Sequence, residues 1–308
     1  MPKALIFSGQ GAQKVGMGRS LYESSSKAKA LYNKANEVLG YDFSRVCFEG
    51  PEEELTKTNV CQAALYVHGI AVLALWKETF PSETVGAALG LSLGELTALA
   101  LAEVYDFEVG LQIVAERGRL MQIACEESDG GMASVLGGTR EQVFDLAAEF
   151  DVDVANLNCP GQIVISGPSD RINEAVEVGK GRGFKRVLPL TVGGAYHSRL
   201  MEPARAAFED YLSDISFFSP EFPVFSNVDA QASDDPDTIK GNLVKQVVSS
   251  VLWEDCMWAA NAVAEIDGFI ECGMAGVLKG MAKRIDRDMS VDSFETFEDF
   301  QESGDVSS

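Results

Sequence analysis

Apolar residues in this chain fall into short runs closed by glycine, separated by longer stretches with helical spacing. Residues 4–7, Ala-Leu-Ile-Phe, run directly into the turn Ser8-Gly9-Gln10-Gly11-Ala12-Gln13. Such a run, closed by glycines, predicts a buried strand. A polar, helix-forming stretch follows to about residue 39, and residues 59–77 predict a long helix. Pro81 precedes a second strand at 85–89, which a sharp turn at 90–94 joins to a helix at 95–103. Strand, turn and helix in that succession predict an α/β sheet whose site lies beyond the strand ends.

Between about residues 128 and 192 the order changes to strand (132–136), helix (140–150), strand (152–157), strand (162–166), helix (169–181), strand (186–190). That β-α-β-β-α-β order is the ferredoxin-like unit. Further α/β segments at 223–226, 269–271 and 276–284 mark it as an insertion into a larger domain. The expected organisation is an α/β core from 1–127 and 193–290, an inserted subdomain at 128–192, and a tail at 291–308. The tail holds six acidic residues and no basic ones, the pattern of a solvated or frayed end.

Charge narrows the function. The 308 residues carry 25 Lys+Arg against 47 Asp+Glu, a formal net charge of −22. A chain this acidic has no general cationic footprint for nucleic acid, and an anionic membrane surface repels it. No uninterrupted apolar run reaches the roughly 18 residues of a membrane span, since His68 and Gly69 break the longest candidate at 62–76. The N-terminal apolar stretch is too short for a signal peptide. The expectation is a soluble monomer, cytoplasmic, or in a plastid or mitochondrial matrix if a transit peptide has been removed. Six cysteines without a C-x-x-C pair, and two histidines 129 positions apart with no H-E-x-x-H, point to reduced buried thiols and to no metal. No cofactor is expected.

Residues 90–94 read Gly90-Leu91-Ser92-Leu93-Gly94, a complete G-x-S-x-G between a strand and a helix. That context suits a strained turn that exposes a nucleophilic Ser92 Oγ, with helix N-terminal N–H groups free to stabilise an oxyanion. A serine nucleophile needs a base, and only His68 and His197 are available. His68 sits in an apolar helix and reads as a satisfied core residue, whereas His197 leaves the last strand of the insertion and can face a cleft between subdomains. The expected pair is Ser92 and His197. No Asp or Glu stands out to orient the imidazole, and a backbone carbonyl can do so equally well.

On the helix around 107–126, steps of three and four align Arg117 with Val114, Met121 and Ala124, so Arg117 faces inward and Arg119 outward. A buried guanidinium calls for an anion: a structural carboxylate partner, or a substrate carboxylate held bidentately. The Gly9-Gln10-Gly11 turn lacks both nucleotide-binding patterns, so its better use is a second oxyanion donor, with the Gln10 N–H approaching Ser92.

Taken together, residues 7–13, Gly90-Leu91-Ser92-Leu93-Gly94-Glu95, Arg117-Gly118, Asn158-Cys159-Pro160-Gly161-Gln162, Gly194-Ala195-Tyr196-His197 and Glu271-Cys272-Gly273 carry a family likeness. The chain closely resembles the malonyl-CoA:acyl carrier protein transacylases of fatty acid synthesis. The resemblance implies an α/β-hydrolase-like core with a parallel sheet and a ferredoxin-like insertion. It implies a ping-pong reaction in which Ser92 takes a malonyl group from malonyl-CoA and passes it to the phosphopantetheine thiol of acyl carrier protein. It further implies that His197 is the base, that Gln10 and Leu93 supply oxyanion N–H groups, and that Arg117 pairs with the malonyl carboxylate. Two positions depart from the family pattern: Leu91 replaces a histidine before the nucleophile, and Leu252 replaces a glutamine before Trp253. Tyr196 before the base resembles the malonyl type, since an aromatic wall crowds the branching methyl of methylmalonyl.

A patatin-like serine hydrolase is the rival reading, because Asp129-Gly130-Gly131 is similar to that family's Ser/Asp dyad, but it leaves Arg117 and His197 without roles. A non-catalytic carrier-docking module ranks third. An acidic carrier protein would be repelled by the overall charge, so docking is expected on basic islands at 180–186 and 279–287.

Overall fold

The computed structural model describes residues 2–263 and 266–304. Among these, nine strands form two sheets: β1 Lys3–Phe7, β2 Val85–Gly90, β3 Gly130–Leu136, β4 Asp153–Cys159, β5 Gln162–Pro168, β6 Arg186–Pro189, β7 Val224–Phe225, β8 Phe269–Cys272 and β9 Val291–Phe294. The first sheet is parallel throughout, in the order β7-β2-β1-β8-β9. The second is antiparallel, in the order β4-β5-β3-β6, which with its two helices is the ferredoxin-like arrangement. The expected fold class, a parallel α/β core with that insertion, is therefore the observed one.

β1 is apolar without alternation because both of its faces are covered. Leu5 and Phe7 pack into one core together with helix Thr58–Thr79, while Ala4 and Ile6 pack into another with Trp253 and Met257. Helix Thr58–Thr79 is long and apolar enough to cross a membrane, with mean hydropathy 1.4, but 83% of that window is buried within the fold. It is the central helix of the first core.

The insertion is tied back to the core where β4 meets the stretch before Trp253. Leu157 N–H donates to Val251 O at 2.9 Å, and Val251 N–H donates to Ala155 O at 2.8 Å. Helix Leu93–Leu101 begins two residues earlier than its sequence suggests and ends before Glu103, whose φ of 62° is incompatible with continued helix.

The C-terminal expectation needs correction. Residues 291–304 are not a solvated tail: β9 extends the parallel sheet beside β8, and helix Phe297–Gly304 folds over it. Val291, Phe294 and Phe300 are buried, and the Phe294 and Phe300 rings stack at 4.7 Å. The acidic residues occupy the positions between these anchors, so a charge count conceals the apolar spacing. Residues 305–308 of the expected tail lie outside the described residues.

Candidate active site

β2 ends at Gly90 and the helix starts at Leu93, which leaves Ser92 at φ 54° and ψ −104°, a conformation that L-residues adopt only under constraint. The flanking glycines make this turn possible. A Cβ on Gly90 would lie 1.8 Å from the Gly94 carbonyl carbon, and one on Gly94 would lie 2.2 Å from Phe7 O. Leu91 N–H donates to that same Phe7 O at 3.0 Å, fastening the turn to the end of β1.

Ser92 Oγ lies 2.8 Å from His197 Nε2, across 105 residues of sequence. His197 Nδ1 lies 2.9 Å from the main-chain carbonyl of Gln246. A carbonyl only accepts, so Nδ1 carries the proton and Nε2 is left to take one from Ser92. Burial first, and then the charge of Arg117, push the imidazole down to about 4, so the ring is neutral at physiological pH. A main-chain carbonyl thus does the orienting, as the lack of a carboxylate candidate allows. Leu252, which departs from the family pattern, packs among the core side chains and donates its N–H to Asn227 O.

Arg117 is 1% exposed and points at the nucleophile. Nη1 donates to Gln62 Oε1 at 2.7 Å, while Nη2 donates to Gln246 Oε1 at 2.9 Å and to Ser92 Oγ at 3.2 Å. Its Nε has no partner among the described residues. Burial lowers it to about 10, which still leaves it a cation at neutral pH. Among the described residues these contacts are all neutral, so of the two anions that the sequence leaves open, a structural carboxylate is not in contact.

The Ser92 N–H is already taken by Asn227 Oδ1 at 2.7 Å. The next N–H, on Leu93, begins the helix and has no carbonyl four residues back within it. Leu93 and Gln10 both line a cavity of about 640 Å³ that also contains Ser92, Arg117, His197 and Tyr196. The Gln10 side chain donates to the Tyr196 hydroxyl at 3.3 Å, and that hydroxyl lies 2.7 Å from Thr58 Oγ1. The turn after β1 is thereby held against the residue preceding the base.

The structure brings together Ser92, His197, Arg117, Gln10 and Leu93. Asp129 is exposed and does not line the cavity, which leaves the patatin-like dyad without its aspartate. His68 is fully buried elsewhere and only half satisfied: Nδ1 lies 3.4 Å from the Tyr32 hydroxyl, and Nε2 has no partner among the described residues. Four further residues were not singled out from sequence: Gln62, Glu95, Asn227 and Gln246. Gln62 alone leaves a local signal, as a polar residue on a nearly all-apolar helix face.

The chain matches the acyl transferase domain family over residues 4–289. It is 40% identical over 302 residues to a malonyl CoA-acyl carrier protein transacylase of Staphylococcus aureus (strain MRSA252), covering 96% of both chains. The crystal structure of an acyl carrier protein S-malonyltransferase from Vibrio cholerae superposes with a TM-score of 0.93 at 34% identity, covering 98% of this chain and all of that one. A malonyl-transacylase in complex with its type II PKS acyl-carrier protein superposes with a TM-score of 0.95 at 32% identity, covering 99% of this chain and all of that one.

Proposed function

The chain belongs to the acyl transferase family, and from that premise we propose that it transfers a malonyl group from malonyl-CoA to the phosphopantetheine thiol of acyl carrier protein, supplying fatty acid synthesis. The observation that carries this reading is the buried Arg117, a cation without a contacting anion, aimed at the same Oγ as the base. A malonyl ester on Ser92 would place its free carboxylate within reach of the guanidinium.

In the first half-reaction Ser92 Oγ attacks the thioester carbonyl as His197 Nε2 takes its proton. The Gln10 and Leu93 N–H groups receive the developing oxyanion. Collapse releases CoA, whose sulfur takes the proton back from His197. In the second half-reaction His197 deprotonates the carrier thiol, which attacks the Ser92 ester, and the proton returns to Oγ. Neither half-reaction needs a cofactor. Tyr196, fixed by Gln10 and Thr58, walls the cavity beside the base, and this supports malonyl over its methyl-branched relative.

Incubation with malonyl-CoA followed by peptide mass analysis tests the reading: the adduct belongs on the peptide containing Ser92, and its absence would refute the transfer. The pH dependence offers a second check. The acid limb of kcat/KM is expected to have its midpoint near 4, the value of the buried His197, because the base is active only when neutral. A midpoint at the ordinary imidazole value would show that burial and Arg117 do not hold His197 down.

The carrier, in this reading, docks beside the cavity mouth. Lys180 and Arg182 of the first basic island are engaged by Glu177 and Glu149, whereas Lys185 and Arg186 are exposed at the start of the edge strand β6. On the second island Arg284 is bound to Gln162, itself a cavity residue, while Lys283 and Arg287 are exposed. Reversing Lys185 and Arg186 to Glu is expected to raise the KM for carrier protein roughly tenfold, as loss of electrostatic steering does, without slowing malonyl-Ser92 formation. An unchanged KM would move docking elsewhere. A soluble, cytoplasmic monomer accords with this scheme.

A further inference from the structure

Glu95 lies three residues beyond the nucleophile, in the first turn of helix Leu93–Leu101, and is 2% exposed. Its Oε2 accepts from the Asn227 backbone N–H at 2.9 Å and from the Gln246 side-chain amide at 2.6 Å. The other end of that amide, Oε1, accepts from Arg117 Nη2 at 2.9 Å. Two buried opposite charges are therefore separated by a single amide group. An ionised carboxylate only accepts and a guanidinium only donates, so the amide has one satisfying orientation, with Nε2 toward Glu95 and Oε1 toward Arg117.

With its cavity empty of acyl group, the site holds one cation and one anion. A substrate carboxylate on Arg117 adds a second anion where little water can screen it. Like charges in such a place are not all kept; the group most easily protonated takes a proton. The groups facing Glu95 leave no other candidate near neutrality. From helix Phe107–Glu126 comes Arg117, a cation until about 10. Tyr105 before that helix and Cys256 in helix Trp253–Asn261 are both pushed upward by burial. His197, reached through Gln246, is pushed down to about 4. Asn227, Ser226 and Gln246 do not titrate. Glu95 itself is raised to about 7 by burial, against the lowering effect of Asn227, Gln246, Ser226 and Arg117.

We propose that Glu95 is the internal counter-charge of Arg117 and a positioning residue for the acyl carboxylate: when that carboxylate seats on the guanidinium, Glu95 takes one proton from solvent and becomes a neutral acid. The assignment rests on the malonyl reading above. It makes binding of a carboxylate-bearing acyl group proton-linked, whereas an acetyl group leaves the protonation of Glu95 as it was. The sign follows. Protonation of Glu95 favours the substrate carboxylate, so the KM for malonyl-CoA is lowest below pH 7 and rises with pH through the Glu95 midpoint. The rise is about tenfold for each pKa unit that the carboxylate imposes on Glu95.

The experiment acylates the wild-type protein with malonyl-CoA and with acetyl-CoA near pH 7 in weak buffer containing a pH indicator, and counts protons exchanged per acyl-enzyme formed. The released CoA thiol contributes equally to both arms. An excess uptake of a fraction of a proton with malonyl-CoA is expected. Glu95→Gln, which keeps an acceptor oxygen for Asn227 and Gln246, is expected to abolish the excess and flatten the pH dependence of KM. Equal proton balance in the two arms, or a KM profile unchanged in E95Q, overturns the proposal. If E95Q does not fold, the wild-type comparison decides alone. A wild-type protein that forms no malonyl-Ser92 overturns the transferase reading itself, an outcome distinct from an adduct formed without excess uptake.

Discussion

Ser92→Ala is expected to leave no malonyl adduct after incubation with malonyl-CoA and to lower carrier malonylation by a factor on the order of 10⁴–10⁶, the range for loss of a serine nucleophile that acts as a unit with its base. The fold should survive. The turn is held by the Ser92 N–H on Asn227, by Leu91 on Phe7 and by the glycines at 90 and 94, none of which requires the hydroxyl. Circular dichroism and the thermal midpoint of the variant should therefore match those of the wild type. An adduct of undiminished yield on the variant, or on a peptide lacking residue 92, would disprove the covalent route through this serine.

Arg117→Ala carries the second large effect, and it is selective. The guanidinium offers charge-assisted, fork-shaped recognition to a carboxylate, and truncating one member of such a buried pair costs about 3–4 kcal/mol, or roughly 10²–10³ in malonyl transfer. An acetyl group makes no use of that charge, so acetyl transfer should fall far less, through the lost hydrogen bonds to Ser92 Oγ, Gln62 and Gln246 alone. Arg117→Lys should recover only part of the malonyl activity, because an ammonium cannot span Gln62 and Gln246 while presenting two parallel donors. Equal losses for malonyl and acetyl donors in R117A would remove the clamp from the mechanism and leave Arg117 as a structural residue.

The three residues at the centre of these experiments were legible in sequence for different reasons. Ser92 is marked by glycines whose positions are dictated by close backbone approach. His197 stands out by scarcity, since its one competitor sits in an apolar helix. Arg117 is revealed by helical phase, which separates it from Arg119 two residues on. Gln246 and Asn227 leave no such trace. One orients the base through a main-chain carbonyl, which any residue possesses, and the other holds the nucleophile turn from 135 residues away. The ferredoxin-like order was legible because its short strands and helices alternate with clear breaks. The end of the chain reads as a tail because six carboxylates outweigh, in a count, the three-residue spacing of Phe294, Phe297 and Phe300.

Gln246 serves the base with its main chain and the guanidinium with its side chain. Inheritance can therefore treat the two services separately. A substitution there leaves the carbonyl that orients His197 in place and changes what meets Arg117, Glu95 and the Ser92 main-chain carbonyl. Drift at this one position would therefore act on the side of the site that meets the acyl group while the base keeps its orienting carbonyl.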